Sequence, residues 1–319
     1  MLKLGVQTQG VIDDENPLEG FAMISRAGFS CVDFSLHGYL KNTDIYESRL
    51  NNFFDAPLAE LKEFFTPHKE AAKAYGIAIH QMHMPYPIYQ PKGKREVNEY
   101  LWQQVAPKSM ELCAFLECRY IVVHGFKLQK YLGSEEAEWR ETERFLDSIL
   151  PLAKEHGIVV CLENLYDEVA GHIVEGSCAK AERVAERIDR INEKYQTEVL
   201  GFCFDMGHAN LLGLDAESFL VTLGRRLKVL HLHDNDGLCD LHQIPFTFTR
   251  DRTNKASTDW EGLVRGLSKI QFDGVLNFET APALTPFPVC MKADVLRFIG
   301  CIGEYLAGEI RRIGLTKEE

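Results

Sequence analysis

Ile158-Val-Val-Cys-Leu-Glu163 and Gly201-Phe-Cys-Phe-Asp205 are short apolar runs that each close on a carboxylate. Side chains alternate faces along a strand, so Val159, Cys161 and Glu163 share one face of the first run, and Ile158, Val160 and Leu162 share the other. In the second run the bulky Phe202 and Phe204 take the outer face, leaving Gly201, Cys203 and Asp205 inward. Lys228-Val-Leu-His-Leu-His233 and Val275-Leu-Asn-Phe-Glu279 repeat the arrangement, with His231, His233, Asn277 and Glu279 inward. Four strand ends thus present Glu163, Asp205, His231 and Glu279 to one side, and three carboxylates with one imidazole describe a site for a single divalent metal ion.

Working outward, strand-length apolar runs recur at Leu2–Thr8, Cys31–Leu36, Ile77–His83 and Tyr120–His124, which with the four above make eight. Helix-patterned stretches lie between most of them: Leu18–Ala27, Leu58–Tyr75, Val97–Leu116, Glu135–His156, Ala179–Tyr195, Leu214–Leu227, Trp260–Ile270 and Lys292–Ile313. Glycine follows several of these, at Gly28, Gly76 and Gly157, as a left-handed helix cap requires. Alternating strands and helices predict parallel strands with right-handed crossovers. Eight such units close into an α/β fold, the (β/α)8 TIM barrel, with its site at the carboxyl ends of the strands. An open doubly wound sheet is the competing architecture, but it gives no reason for four ligand-type residues at four strand ends.

A barrel takes about 250 residues or more, so the 319 residues fit one domain, 1–319, with extended loops and no evident linker or repeat. The amino-terminal Met1-Leu-Lys-Leu-Gly-Val6 enters a strand at once, and no run of 18 apolar residues occurs, so the expectation is a cytoplasmic protein without a membrane partner. Nine cysteines without a Cys-x-x-Cys pair read as reduced core residues. A formal charge of −12 argues against a broad nucleic-acid surface.

The runs Leu162-Glu-Asn-Leu165, Phe204-Asp-Met-Gly-His208, His231-Leu-His-Asp-Asn-Asp-Gly237, Asp240-Leu-His242 and Asp259-Trp260 resemble the xylose isomerase-like TIM-barrel superfamily along essentially the whole chain. That group includes sugar phosphate isomerases and epimerases, ketose 3-epimerases, inosose dehydratases, hydroxypyruvate isomerases and endonuclease IV. The resemblance implies one divalent ion (manganese, magnesium, cobalt or zinc) on Glu163, Asp205, His231 and Glu279, the set that strand parity also selects. It further implies a sugar or sugar phosphate substrate and a homodimer or homotetramer. Isomerising or epimerising a sugar removes a proton from a carbon next to a carbonyl, and positive charge stabilises the resulting enediolate. Glu163 and Glu279, across the barrel mouth from each other, are the expected acid–base pair.

His208, three residues after Asp205, and His83 and His124, at the ends of strands three and four, are candidate substrate-binding residues, as are Asp240, His242 and Arg250. His233 shares the inward face of His231 one layer higher, whereas His37, His68, His156 and His172 carry no parity argument and read as loop or helix-surface residues. His83, His124, Glu163, Asp205, His208, His231, Asp240, His242 and Glu279 also match, in order, the residue types that hold three zinc ions in endonuclease IV-like enzymes. Two alternatives therefore stand beside the isomerase or epimerase: a zinc-dependent abasic-site endonuclease, and a dehydratase-type lyase acting on a cyclic polyol ketone. After Pro245 the glycine turn common in sugar-isomerase-like members is replaced by the longer Phe246–Ser257 segment, whose Arg250, Arg252 and Lys255 could hold a phosphate or carboxylate.

Overall fold

The computed structural model describes residues 2–128, 133–248 and 257–315. Strands Lys3–Gln7 (β1), Cys31–Ser35 (β2), Ala78–His83 (β3), Tyr120–Val123 (β4), Val159–Glu163 (β5), Leu200–Asp205 (β8), Leu227–His231 (β9) and Val275–Phe278 (β10) form one parallel sheet. Tyr166–Val169 (β6) and His172–Glu175 (β7) form a separate antiparallel hairpin. The order β10-β1-β2-β3-β4-β5-β8-β9 places β9 and β10 at the two ends. The Leu232–Phe278 bridge joins those ends, with Leu232 N donating to Asn277 O and Glu279 N donating to Leu232 O. The eight strands, with helices around them, make a nearly closed (β/α)8 barrel.

The two faces of each strand separate as the alternation requires. Val122, Val159, Cys161, Cys203 and Val229 form a small cluster inside the barrel, with Tyr120 packed against it. Ile158, Val160, Leu162, Phe202, Phe204, Leu230, Leu276 and Phe278 point outward into the main core between sheet and helices. Each fully buried Phe or Leu there contributes roughly 1.5–3 kcal/mol, so inverting a strand by one residue would forfeit several such terms at once. Crowding inside the barrel also explains Gly201, where a Cβ would lie 2.5 Å from the Lys228 side chain.

Three elements depart from expectation. The segment after β5 is a hairpin, turned by Ala170 and Gly171, whose positive φ angles of 53° and 79° suit a two-residue turn matched to strand twist. Asp205 ends β8 and at once caps the helix Met206–Leu212, its Oδ1 accepting from His208 N at 2.7 Å. The expected helix Val97–Leu116 is divided into Arg95–Tyr100, a wider π turn over Leu101–Val105, and Ala106–Phe115. Pro107, which cannot donate to an i−4 carbonyl, lies two residues past that turn, in the first turn of the next helix. Among the described residues no helix is long and apolar enough to cross a membrane.

Candidate metal centre

Glu163, Asp205 and His231 close β5, β8 and β9, and Glu279 follows β10 by one residue; all four are buried. Their side chains converge on Nδ1 of His231, which lies 3.1 Å from Glu163 Oε1, 3.3 Å from Glu279 Oε2 and 3.8 Å from Asp205 Oδ2. Ligand atoms about 2.0–2.2 Å from a tetrahedral ion are roughly 3.3–3.6 Å apart, and the three separations from Nδ1 lie close to that range.

The chemistry of the donors fits as well. Asp33, buried in β2, accepts from His231 Nε2 at 3.0 Å, which leaves Nδ1 to face three carboxylates. A lone pair among carboxylates is repulsive unless a proton or a metal ion stands between them. The same Asp33 oxygen accepts from Gln81 Nε2 at 3.1 Å and Asn277 Nδ2 at 3.4 Å. Gln7 of β1 donates to Glu279 Oε1 at 2.8 Å, and His233 Nε2 meets Asp205 Oδ2 at 3.0 Å. Asn164 exchanges two hydrogen bonds with the backbone of Asp205, both 2.8 Å, and so fixes the end of β8 against β5. Gly207 leaves room for this arrangement, because a Cβ there would sit 1.9 Å from Cε1 of His233.

The remaining expected residues gather around this centre. His124 Nε2 lies 3.0 Å from Glu163 Oε2 without the alignment of a hydrogen bond, leaving that buried oxygen without a hydrogen-bond partner, and His83 Nε2 lies 3.7 Å from it. His208 and His242 approach one oxygen of Asp240 from two sides, at 3.3 and 3.1 Å, while the other Asp240 oxygen is buried without a hydrogen-bond partner. His233 stacks on His242 with ring centroids 3.8 Å apart. Arg250, Arg252 and Lys255 lie outside the described residues. The reading of the outlying histidines needs one correction: His68 is buried, its Nε2 2.9 Å from Asp14 Oδ1, because its helix turns this residue onto the β2 side chain Phe34.

Charge in the cluster is strongly coupled. Burial alone would raise the carboxyls of Glu163, Asp205 and Asp240, but the histidines around them outweigh it and hold all three below the usual carboxylate range. For His208 and His242 burial works against the proton, yet Asp205, Asp240 and Glu279 push them up to about 9 and about 10. At His124 burial prevails and carries the imidazole down to about 4. The centre therefore combines buried carboxylates held ionised by the histidines around them with one imidazole, His124, that burial keeps neutral.

Above it opens a cavity of about 210 Å³, lined by His83, His124, Glu163, His208, Asp240, His242 and Glu279, with Tyr46, Tyr86, Tyr89 and Tyr166 as walls. Lys127, also on its lining, donates to the carbonyl of Tyr166 and sits 4.9 Å from that ring's centroid; burial lowers its pKa. Asp33, Gln7 and Lys127 were not among the expected site residues. A parity signal existed for Asp33, since in Cys31-Val-Asp-Phe-Ser35 it shares a face with the two small residues and opposes Val32 and Phe34.

The family described as xylose isomerase-like TIM barrel matches residues 21–288. A D-tagatose 3-epimerase-like protein of known structure superposes with a TM-score of 0.65 at 18% sequence identity, covering 100% of both chains. An inosose isomerase of Bacillus velezensis is 22% identical over 230 residues, 70% of this chain and 72% of that protein. An uncharacterized protein of Sinorhizobium fredii is 25% identical over 204 residues, and the match spans 61% of this chain but only 60% of that relative's length.

Proposed function

Because this chain belongs to the xylose isomerase-like TIM-barrel family, we propose that it is a metal-dependent sugar isomerase or epimerase acting by proton transfer beside a carbonyl. The observation that carries this reading is the convergence of Glu163, Asp205 and Glu279 on Nδ1 of His231 at the floor of a small polar cavity. Those four residues would hold the ion. Three oxygens and one imidazole suit manganese, magnesium or cobalt, and also admit zinc. When bound, a divalent cation supplies positive charge where an enediolate develops its negative charge.

The chain's own residues account for the remaining steps. One carboxylate of the Glu163 and Glu279 pair takes the proton from the carbon next to the carbonyl. The other returns a proton to the opposite face, which inverts that centre, or a proton is delivered to the neighbouring carbon, which moves the carbonyl. Gln7 fixes one oxygen of Glu279, leaving Oε2 toward His231. His83, His124, His208, Asp240 and His242 line the cavity and can orient substrate hydroxyls. The tyrosine walls exclude water and suit the apolar face of a sugar ring or chain. Incubating the manganese-loaded protein in D2O with ketoses, cyclic polyol ketones and their phosphates, and following carbon-bound deuterium by NMR, tests the reading. Exchange next to the carbonyl is expected for at least one of them, and no exchange in any refutes proton transfer at this site.

A second reading has its own observation. His83 and His124 face Glu163, while His208 and His242 meet at Asp240. Together with the central four these clusters could seat three zinc ions for phosphodiester cleavage. The narrow cavity between tyrosines favours a small ligand over a duplex. Metal content decides: three zinc ions per chain with incision of abasic-site DNA would replace the isomerase reading.

A further inference from the structure

Every imidazole on the cavity lining has a carboxylate beside it: His83 and His124 face Glu163, and His208 and His242 meet at Asp240. Lys127 is the exception among the described cations of that lining. Its ammonium donates to a neutral partner, the backbone carbonyl of Tyr166, and lies 4.9 Å from the centroid of the Tyr166 ring. An ammonium has three N–H donors and no acceptor, so two remain beyond the one that Tyr166 takes. Burial lowers the pKa of this group, while Asp167, Asp240, Glu138 and Glu163 pull the other way, none of them in ion-pair contact with it. A partly desolvated cation without a counter-ion is costly, and the cavity is where a counter-ion can arrive.

We propose that Lys127 receives the carboxylate of a sugar acid whose anionic end lies away from the reacting carbonyl. The inference rests on the isomerase or epimerase reading and narrows its substrate class. Chain direction supplies the placement. His124 and Glu163 meet at the floor of the cavity, 3.0 Å apart, and Lys127 and Tyr166 meet three residues further along the same two segments. Three residues of chain rise no more than about 10 Å, a span that a linear sugar chain bridges from the Glu163 and Glu279 pair.

Charge selects a carboxylate over a phosphate. One ammonium balances one negative charge, whereas a phosphate monoester carries about −1.5 to −2 at pH 7. Its excess charge would fall near Asp240 and Glu163, with no second described cation to meet it. His208 and His242 do not fill that role, because one oxygen of Asp240 already engages both, at 3.3 and 3.1 Å. A carboxylate needs only the remaining donors of the ammonium, so the bond to the Tyr166 carbonyl persists when it binds. The tyrosine walls keep water away and strengthen a single ion pair there.

Ligand-observed NMR titration of the full chain with unreactive probes tests the inference without turnover. Gluconate is expected to bind at least about tenfold more tightly than glucitol, its uncharged counterpart, the scale of one charge-assisted hydrogen bond. Lys127→Met, checked for folding by circular dichroism, should remove that preference, and Lys127→Arg should keep most of it. Lys127→Gln, whose amide still offers a donor to the Tyr166 carbonyl, should also lose it, which separates the charge from support of the loop. Equal affinity for gluconate and glucitol in the wild type, a preference that survives both neutral variants, or tighter binding of glucitol 6-phosphate than of gluconate would overturn the proposal. The proton-transfer reading fails separately. A gluconate preference with no deuterium exchange in any sugar would strike that reading and keep the anion site, whereas exchange in neutral sugars with no gluconate preference would spare it and overturn this one.

Discussion

Asp33 and His231, 198 residues apart, meet inside the barrel with Asp33 Oδ2 3.0 Å from His231 Nε2. The carboxylate can only accept, so it places the imidazole proton on Nε2 and turns Nδ1 toward Glu163, Asp205 and Glu279. A residue on β2 thereby decides which nitrogen of the β9 imidazole faces the carboxylates that end β5 and β8 and follow β10.

Asp33→Asn keeps the shape and removes the charge that fixes this tautomer. Manganese affinity, measured by competition with a fluorescent chelator, should fall about 10- to 100-fold, the range for partners that orient a metal-binding histidine. Unchanged affinity would mean that Asp33 only packs.

Glu279→Gln should leave substrate binding measurable while kcat drops at least about a hundredfold, the low end for acid–base groups. The amide can still accept from Gln7 through its oxygen, so the fold around it should persist. Full turnover with metal bound would remove Glu279 from proton transfer.

Protein purified without chelators should carry close to one divalent ion per chain by plasma mass spectrometry. Asp240→Asn and His242→Ala should leave that ratio unchanged, whereas Asp205→Asn should lower it. A fall in metal content in the Asp240 or His242 variants would move those residues into the metal-binding set.

The metal-free protein should lose stability on the alkaline side. His208 and His242 have folded pKa values of about 9 and about 10, above the ordinary value of 6.5. Groups raised in this way stabilise fully below pH 6.5 and lose that contribution as pH rises through the folded values. Tm of the stripped protein should therefore decline between about pH 6.5 and 10, and less so in His208→Gln. A flat profile would show that these histidines are not held protonated.

Gly207→Ala should disturb the centre from outside it. A Cβ 1.9 Å from the His233 ring forces that ring away from Asp205, against which it is held at 3.0 Å. Overpacking of this kind costs about 1–3 kcal/mol, readable as a lower urea midpoint, and metal affinity should fall with it. A variant as stable as wild type would show that the helix start yields freely.

Much of this molecule was written locally. Strand parity separated Ile158, Val160, Leu162, Phe202 and Phe204 from Val159, Cys161 and Cys203, and the two sets fall in different clusters of the folded chain. It also picked out Glu163, Asp205, His231 and Glu279, because a period of two along a strand needs no knowledge of what lies across the barrel. The hairpin Tyr166–Glu175 escaped notice because its turn is Ala170-Gly171, where alanine hides one of two left-handed positions. The partners of the centre were decided only by closure. Gln7 reaches Glu279 and Asp33 reaches His231 because β10 pairs with β1, and β2 follows β1 around the same interior. A hydrogen bond between residues 198 or 272 positions apart leaves no periodic trace in the sequence, since its geometry exists only after eight strands have come around to meet.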